Sequence, residues 1–255
     1  MAAFKEHLPY ALRQFETDIV LPIKVFGIDL SIDTISSAKL TTGLLLAIYL
    51  VYATRECRIV PSRLQVSAEM LYGIVSSTVL RVAGPDGKAT IPFVFTMFIF
   101  ILFGTLLGLT PIKQTFTSSL AVTLALSLSV FGYANMLAFR RHGLKFFRFF
   151  LPSGVPMFVA PILVSVEIIS YLFRPITLGF RLFANIVAGH VMLKLFADFS
   201  SMLVGAFGIG GVFASIFPVL IMIVLYAFEV MIICIQSYIF MLITTMYLRD
   251  ALNGH

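Results

Sequence analysis

The chain of 255 residues is 60% hydrophobic and only 12% charged, with a mean hydropathy of +1.02, whereas a soluble domain carries about a quarter charged residues. Water is excluded as its main solvent, and the one or two soluble domains that length alone would allow give way to a single membrane domain over residues 1–255. The formal net charge of +6 does not indicate nucleic acid, because the basic residues sit in short stretches between apolar segments, where a topology bias places them.

Residues 1–31 read as an outer-side segment. Met1 to Asp18 mix Lys5, Glu6, His7, Arg13, Glu16 and Asp18 with no apolar core and no Arg- and Ser-rich, acid-poor character, so no cleaved targeting segment is expected. The first transmembrane helix is predicted over 32–53. Arg55, Arg58 and Arg63 follow it at once, which puts its C-terminal end on the cytoplasmic side and the N-terminus outside. Over 66–82, Leu71, Ile74, Val75, Val79 and Val82 recur at helical spacing while Glu69, Ser76, Ser77 and Arg81 leave that face. This predicts an amphipathic interfacial helix, with a short span as the alternative. Gly84-Pro85-Asp86-Gly87 predicts a turn on the same side.

Ile91 to Leu109 and Leu120 to Phe139, linked through Thr110-Pro111, predict a transmembrane hairpin over 91–139. Its far end opens into Arg140, Arg141, His142, Lys145 and Arg148 interleaved with Phe146, Phe147, Phe149 and Phe150. Arginines and aromatics also stack on bases, but inside so apolar a chain they read as an interfacial segment facing membrane lipids. Both basic clusters then lie on one side. Cys57 and Cys234 fall in different segments without metal-ligand spacing, so neither a disulfide framework nor a metal site is indicated.

Residues 157–248 hold two long segments, roughly Met157 to Phe196 and Gly210 to Leu248, with a Gly-rich turn containing Asp198 and Gly205 between them. Each is about 40 residues and, as one helix at 1.5 Å per residue, about 60 Å long, twice the hydrocarbon thickness. Pro175 with Gly179 in the first, and Pro218 in the second, lack the polar neighbours of a turn. Two long, tilted membrane helices are therefore expected rather than four short ones.

Ionisable groups inside membrane segments are costly and line watery paths or pair with one another. The two long segments contain Glu167, Arg174, Arg181, His190, Lys194 and Glu229, with Asn185 and Gln236 beside them. At about 100° per residue, Glu167, Tyr171, Arg174, Arg181 and Asn185 fall within an arc of about 80°, one polar face. His190 and Lys194 fall on another face, and Glu229 and Gln236 share a face at i, i+7. Each has a plainer reading. Arg174 and Lys194 can snorkel to an interface, Glu167 and Glu229 can be buried carboxyls satisfied by a neighbouring helix, and a single histidine is more often a packing residue than a proton carrier. Arg181 resists such a reading: it sits near the middle of an apolar stretch and stays charged at any physiological pH. Something anionic must meet it.

The run Arg181-Leu182-Phe183-Ala184-Asn185-Ile186-Val187-Ala188-Gly189-His190 closely resembles the signature helix of subunit a of rotary F-type ATP synthases. Tyr171 to Gly179 before it, and Glu229, Gln236 and Ser237-Tyr238-Ile239-Phe240 after it, are similar to that family too, and the resemblance spans roughly Phe93 to Asp250. It implies a non-catalytic, proton-translocating stator subunit without cofactor. Arg181 would face the carboxylate of a rotating c-ring of small hairpin subunits, with Asn185 and Gln236 positioning the guanidinium or entering water. Glu229 and His190 would belong to the outer half-channel, and Glu167, with Thr177 nearby, to the inner one. The resemblance also implies peripheral-stalk b-type subunits and a soluble ATPase sector as partners. Many bacterial members carry Glu at the position of His190 and His at that of Glu229. The exchanged arrangement resembles the mitochondrial type and is compatible with an alphaproteobacterial chain, so the bacterial inner membrane is expected, with the mitochondrial inner membrane as the alternative.

The fold class expected is an all-α membrane protein: a transmembrane helix, an interfacial helix, a transmembrane hairpin and two long tilted helices. The rival functions are a stand-alone secondary transporter or ion channel, for which the chain shows no convincing internal repeat, and a structural anchor, which would need no central Arg181. No Gly-x-x-x-x-Gly-Lys-[Ser/Thr] phosphate loop occurs, so nucleotide chemistry is not expected on this chain.

Overall fold

The computed structural model describes residues 19–21, 24–25, 28–29, 32–55, 61–110, 119–143 and 160–253. The predictions made on Met1 to Asp18, Cys57, Arg58, the link from Pro111, Lys145 to Phe150 and the start of the first long segment at Met157 lie outside them.

Two small antiparallel ribbons precede the helices, an element to which sequence reasoning assigned no structure. Strand β1 (Ile19–Leu21) pairs with β4 (Ile32–Asp33), and β2 (Lys24–Val25) pairs with β3 (Ile28–Asp29). Strands this short add little stability by themselves, and every described element after them is a helix.

The helices are α1 (Thr34–Thr54), α2 (Arg63–Ala83), α3 (Ile91–Gly108), α4 (Leu120–His142), α5 (Ala160–Phe207) and α6 (Ile209–Asn253), with a 3-10 turn at Pro85–Thr90 leading into α3. All six are long and apolar enough to cross a membrane. The protein is a multi-pass membrane protein of the all-α class. In hydrocarbon every polar group must be satisfied internally, and several threonine hydroxyls obey this within their own helices. Thr41, Thr42 and Thr54 donate to the carbonyls of Ser37, Ala38 and Leu50 at 2.7, 2.8 and 2.8 Å. Thr244 and Thr245 of α6 donate to those of Phe240 and Met241, both at 2.8 Å. Large apolar residues such as Leu40, Leu44, Tyr52, Phe213 and Phe217 face outward, as a lipid-facing surface requires.

Helix α2 begins where Ser62 accepts a hydrogen bond from the Gln65 N–H at 3.3 Å, an N-cap. It is the least apolar of the six. Its buried stripe runs through Gln65, Ala68, Val75, Val79 and Ala83, while Ile74 is exposed. The helical period was therefore legible, but the inward face is shifted toward the small residues, which let a neighbour come close.

The long segments are single continuous helices of 48 and 45 residues, with Pro175 and Pro218 inside them. The turn between them lies within the expected stretch but is narrower, and it leaves Asp198 and Gly205 outside it. Both lie inside α5, where Ser201 satisfies its hydroxyl on the Asp198 carbonyl at 2.8 Å, and an interior glycine costs a helix only about 1 kcal/mol. The chain reverses at Gly208, which takes φ +55°, a conformation that only glycine adopts without strain.

The chain divides into two compact units whose boundaries fall inside helices, on α5 between Arg181 and Leu182 and on α6 between Gln236 and Ser237. One unit holds residues 43–101, 120–181 and 237–255. Its core includes Val75, Val79, Val94, Ile99, Val130, Phe240, Met241 and Leu248. Phe93 of α3 stacks on Tyr133 of α4 at 4.1 Å, and Tyr72 of α2 meets Phe95 edge-on at 5.4 Å. At one end, Arg141 of α4 bridges to Asp86 at 2.8 Å, and the His142 ring lies 3.3 Å from the Leu252 carbonyl of α6. The Gly84–Gly87 turn, the basic end of α4 and the end of α6 thus share one pole of this unit. The other unit holds residues 1–42, 102–119 and 182–236, with Leu182, Ile186 and Ile233 buried in it.

Helices α4 and α5 approach closely at Gly179. A Cβ there would come within 2.8 Å of Ser127 Oγ, 3.0 Å of Leu124 Cδ2 and 3.1 Å of the Thr123 carbonyl, and the last of these is backbone that cannot rotate away. Gly179→Ala is expected to lower the unfolding free energy by about 1–3 kcal/mol through overpacking. The control is Gly132→Ala in α4, where nothing stands within 4 Å of the new Cβ. Thermal unfolding in detergent measures both, and equal stability of the two variants contradicts the contact.

Candidate functional site

The first cluster belongs to the unit containing the N-terminal half of α5. The i, i+3, i+4 and i+7 spacing of Glu167, Tyr171 and Arg174 stacks these side chains along one face. The Arg174 guanidinium lies 3.8 Å from the Glu167 carboxylate and 3.6 Å from that of Asp250 on α6. It also sits 5.8 Å from the centre of the Tyr171 ring, within range of a cation–π attraction. Tyr171 donates its hydroxyl to Asn135 Oδ1 of α4 at 2.6 Å and packs its ring 5.0 Å from Phe131. Tyr247 of α6 lies within the electrostatic reach of Arg174, Arg181 and Asp250. Arg174 is therefore the centre of a charge network, more than a side chain snorkelling to an interface. Thr177 donates its hydroxyl to the Arg174 carbonyl at 2.9 Å, so its own helix uses that donor.

Arg181 ends this unit's stretch of α5, and its side chain is exposed. Among the described residues it makes no salt bridge and no hydrogen bond. Glu167 and Asp250, two carboxylates of the same unit, are taken up by Arg174.

The second cluster lies in the unit holding residues 182–236. Glu229 and Gln236 of α6, spaced i, i+7, are only 7% and 6% exposed. Glu229 Oε2 and Gln236 Nε2 have no hydrogen-bond partner among the described residues. The Glu229 carboxyl rests against the backbone of α5 at Gly189, where a Cβ would fall 2.5 Å from Oε1 and 2.8 Å from Cδ. No other residue type leaves that space. A cavity of about 230 Å³ opens beside the pair, lined by Asn185, Gly189, Met192, Leu225, Phe228 and Glu229 among others. A water molecule's share of liquid is about 30 Å³, so this cavity has room for several, with Asn185 and Glu229 to bind them. His190 follows Gly189 but does not line the cavity; it and Lys194 are half-buried on the adjoining face of α5.

The geometry thus joins Glu229 to Asn185 and Gly189, and Arg174 to Glu167 and Tyr171. A sequence profile of the family described as ATP synthase A chain matches residues 36–249, which include every residue of both clusters except Asp250. The chain belongs to the ATP synthase A chain family. It is 43% identical over 241 residues to ATP synthase subunit a of Gluconacetobacter diazotrophicus, covering 94% of this chain and 96% of that one. With ATP synthase subunit a of Acidiphilium cryptum it shares 42% over 245 residues, 96% and 97% of the two chains. That of Granulibacter bethesdensis is 45% identical over 201 residues, 79% and 80% of the two.

Sequence reasoning toward this family missed three residues. Asn135 carries an amide within an apolar helix, a visible signal that was passed over because the segment read as an ordinary hairpin arm. Asp250 lies beyond the predicted end of the last helix and was given no role. Gly189 read as part of a small-residue stretch, and only the packing of α6 reveals what its missing side chain makes room for.

Two expectations follow from these contacts. In a double-mutant cycle, Asn135→Leu and Tyr171→Phe should show a coupling of about 1 kcal/mol in unfolding free energy, the worth of one half-buried hydrogen bond; additive effects contradict the bond. Gly189→Ala should push aside the flexible Glu229 carboxyl and leave the backbone in place. Unfolding should then stay unchanged, and, if Glu229 handles protons as proposed below, proton flux through reconstituted complexes should drop roughly tenfold or more, as misplacement of a reacting group does elsewhere.

Proposed function

We propose that this chain is the proton-translocating stator subunit of the membrane sector of an F-type ATP synthase, and that Arg181 faces the carboxylates of a rotating c-ring. One observation carries the reading: Arg181 stands exposed in mid-helix, with no salt bridge or hydrogen bond among the described residues. A guanidinium cannot deprotonate to escape an apolar environment, so it calls for a counter-ion, and no described carboxylate of this chain supplies one. A ring carboxylate satisfies it when ionised and leaves it when protonated. The fixed positive charge also bars protons from crossing directly. Each proton is worth about 2.3 kcal/mol per 100 mV, and that work reaches the ring only if such a leak is closed.

In this reading Asn185 and Gln236 position the guanidinium or the entering water. Glu229 with His190 forms the outer half-channel, supported by the buried carboxyl and the cavity beside it. Glu167 with Thr177 belongs to the inner half-channel, to which the contacts of Arg174, Tyr171, Asn135 and Asp250 add a charged wall, while Lys194 supports the outer side. A 48-residue α5 is about 72 Å long, more than twice the hydrocarbon thickness, which supports a strong inclination of α5 and α6 along the ring. Helix α2 lies at the cytoplasmic interface, and the N-terminus is outside, in a bacterial inner membrane. The b-type peripheral stalk and the soluble ATPase sector complete the complex, and the chemistry of ATP stays with the latter.

Arg181→Ala should abolish ATP-driven proton pumping in assembled complexes. Arg181→Lys should restore it only in part, because an ammonium lacks the planar fork and can lose its proton when desolvated. Acidification of inverted vesicles measures both, and normal pumping by Arg181→Ala overturns the reading. Cysteines placed at Arg63 and Arg141 should both label from the cytoplasmic face, and labelling from opposite faces would rule out the topology.

A further inference from the structure

The turn at Gly84–Gly87, which the proton path does not use, forms one wall of an open cleft of about 730 Å³. Its lining includes Arg81, Pro85, Asp86, Leu242, Met246 and Arg249, all within one compact unit. The charges in it do not cancel. Arg81 and Arg249 are exposed and make no salt bridge or hydrogen bond among the described residues. Asp86, the carboxylate of this cleft, is already bridged to Arg141 at 2.8 Å. Arg81 lies in the last turn of α2 and Arg249 close to the end of α6, so the helix macrodipoles offset part of their charge. A helix C-terminus carries only about half a negative charge, and two full guanidinium charges face it. The cleft is left with an excess of positive charge above an apolar floor of Leu242 and Met246.

The geometry points to a binding site for the phosphodiester headgroup of an anionic glycerophospholipid, held by Arg81 and Arg249 with its glycerol and upper acyl carbons on Leu242 and Met246. Three features favour a lipid over a free phosphate. The cleft opens at the ends of membrane helices. It lies at the pole where Arg141 meets Asp86 and the His142 ring lies beside the Leu252 carbonyl, the pole with the basic run of α4, which is the cytoplasmic leaflet by the positive-inside rule. Its apolar floor has no use in binding inorganic phosphate. Basic pockets between membrane helices on that side suit anionic headgroups, and paired arginines can clamp a phosphate with charge-assisted bonds. The site needs no particular role for Arg181, so it stands or falls independently of the proton path.

The test uses the intact complex reconstituted in phosphatidylcholine vesicles containing a little photoactivatable phosphatidylglycerol, with cross-linked peptides identified by mass spectrometry. Cross-links should fall on residues 82–86 and 242–249, and unlabelled phosphatidylglycerol should compete while phosphatidylcholine and inorganic phosphate do not. The double variant Arg81→Gln with Arg249→Gln should lower labelling about 30-fold, the loss expected for two arginines facing an anionic headgroup, and Arg81→Lys with Arg249→Lys should retain most of it. If the glutamine variant fails to assemble, the competition on the unaltered complex decides alone. The proposal is overturned by competition from inorganic phosphate equal to that from the lipid, which marks a soluble-anion site. Undiminished labelling of the glutamine variant overturns it, as does labelling confined to neighbouring subunits, which shows protein covering the cleft.

Discussion

A guanidinium held in the middle of an apolar helix sets the terms for the rest of this protein. Unlike a carboxyl or an amine, it has no neutral form to retreat to, and placing it at the centre of a bilayer costs several kcal/mol even on the mildest scales. The chain could have met that cost with a carboxylate of its own. It places two nearby in the same unit, Glu167 and Asp250, and gives both to Arg174 at 3.8 and 3.6 Å. Arg181, two turns further along α5, is left exposed. A charge so placed is stable only in company, and the proposed company is the ring.

The helices around it follow from the same need. Extended α5 and α6 carry polar groups on faces that a shorter span would not have room for. The cluster around Arg174 occupies one compact unit and the one around Glu229 the other. Each is held by a glycine that lets a neighbouring helix come unusually near: Gly179 against Ser127 and Leu124, Gly189 against Glu229. In an apolar solvent there is no hydrophobic drive to press helices together, so close packing at small residues does this work.

Much of this was legible in the sequence, for a physical reason. Apolar length marks a spanning helix almost without ambiguity, and α1, α3 and α4 begin and end within a few residues of the predicted 32–53 and 91–139. The continuity of α5 through Pro175 was legible because no polar neighbour offered a turn. The shared face of Glu167, Tyr171 and Arg174 was legible because a helix has a fixed period. What escaped reading depends on a second helix. Nothing at Gly189 says that a carboxyl will lie against it, nothing at Asp250 says that Arg174 will be within reach, and the inward face of α2 is chosen by what packs on it. The turn between the long segments was read too wide, across Asp198 and Gly205, and is confined to Gly208, because residue type signals where a turn is permitted and not where it is taken. Of the glycines around this turn, Gly205, Gly208, Gly210 and Gly211, Gly208 is the one that adopts a positive φ.

The central claim is that a carboxylate from outside this chain meets Arg181. It is tested most directly by zero-length carbodiimide cross-linking of intact complexes carrying Arg181→Lys, which puts a reactive amine at the site. Mass spectrometry should find an amide between position 181 and the membrane-embedded carboxylate of the small ring subunit, absent once that carboxylate has been chemically blocked. An amide to Asp250 or Glu167 of the same chain, or none to the ring in complexes verified as intact, would contradict the account.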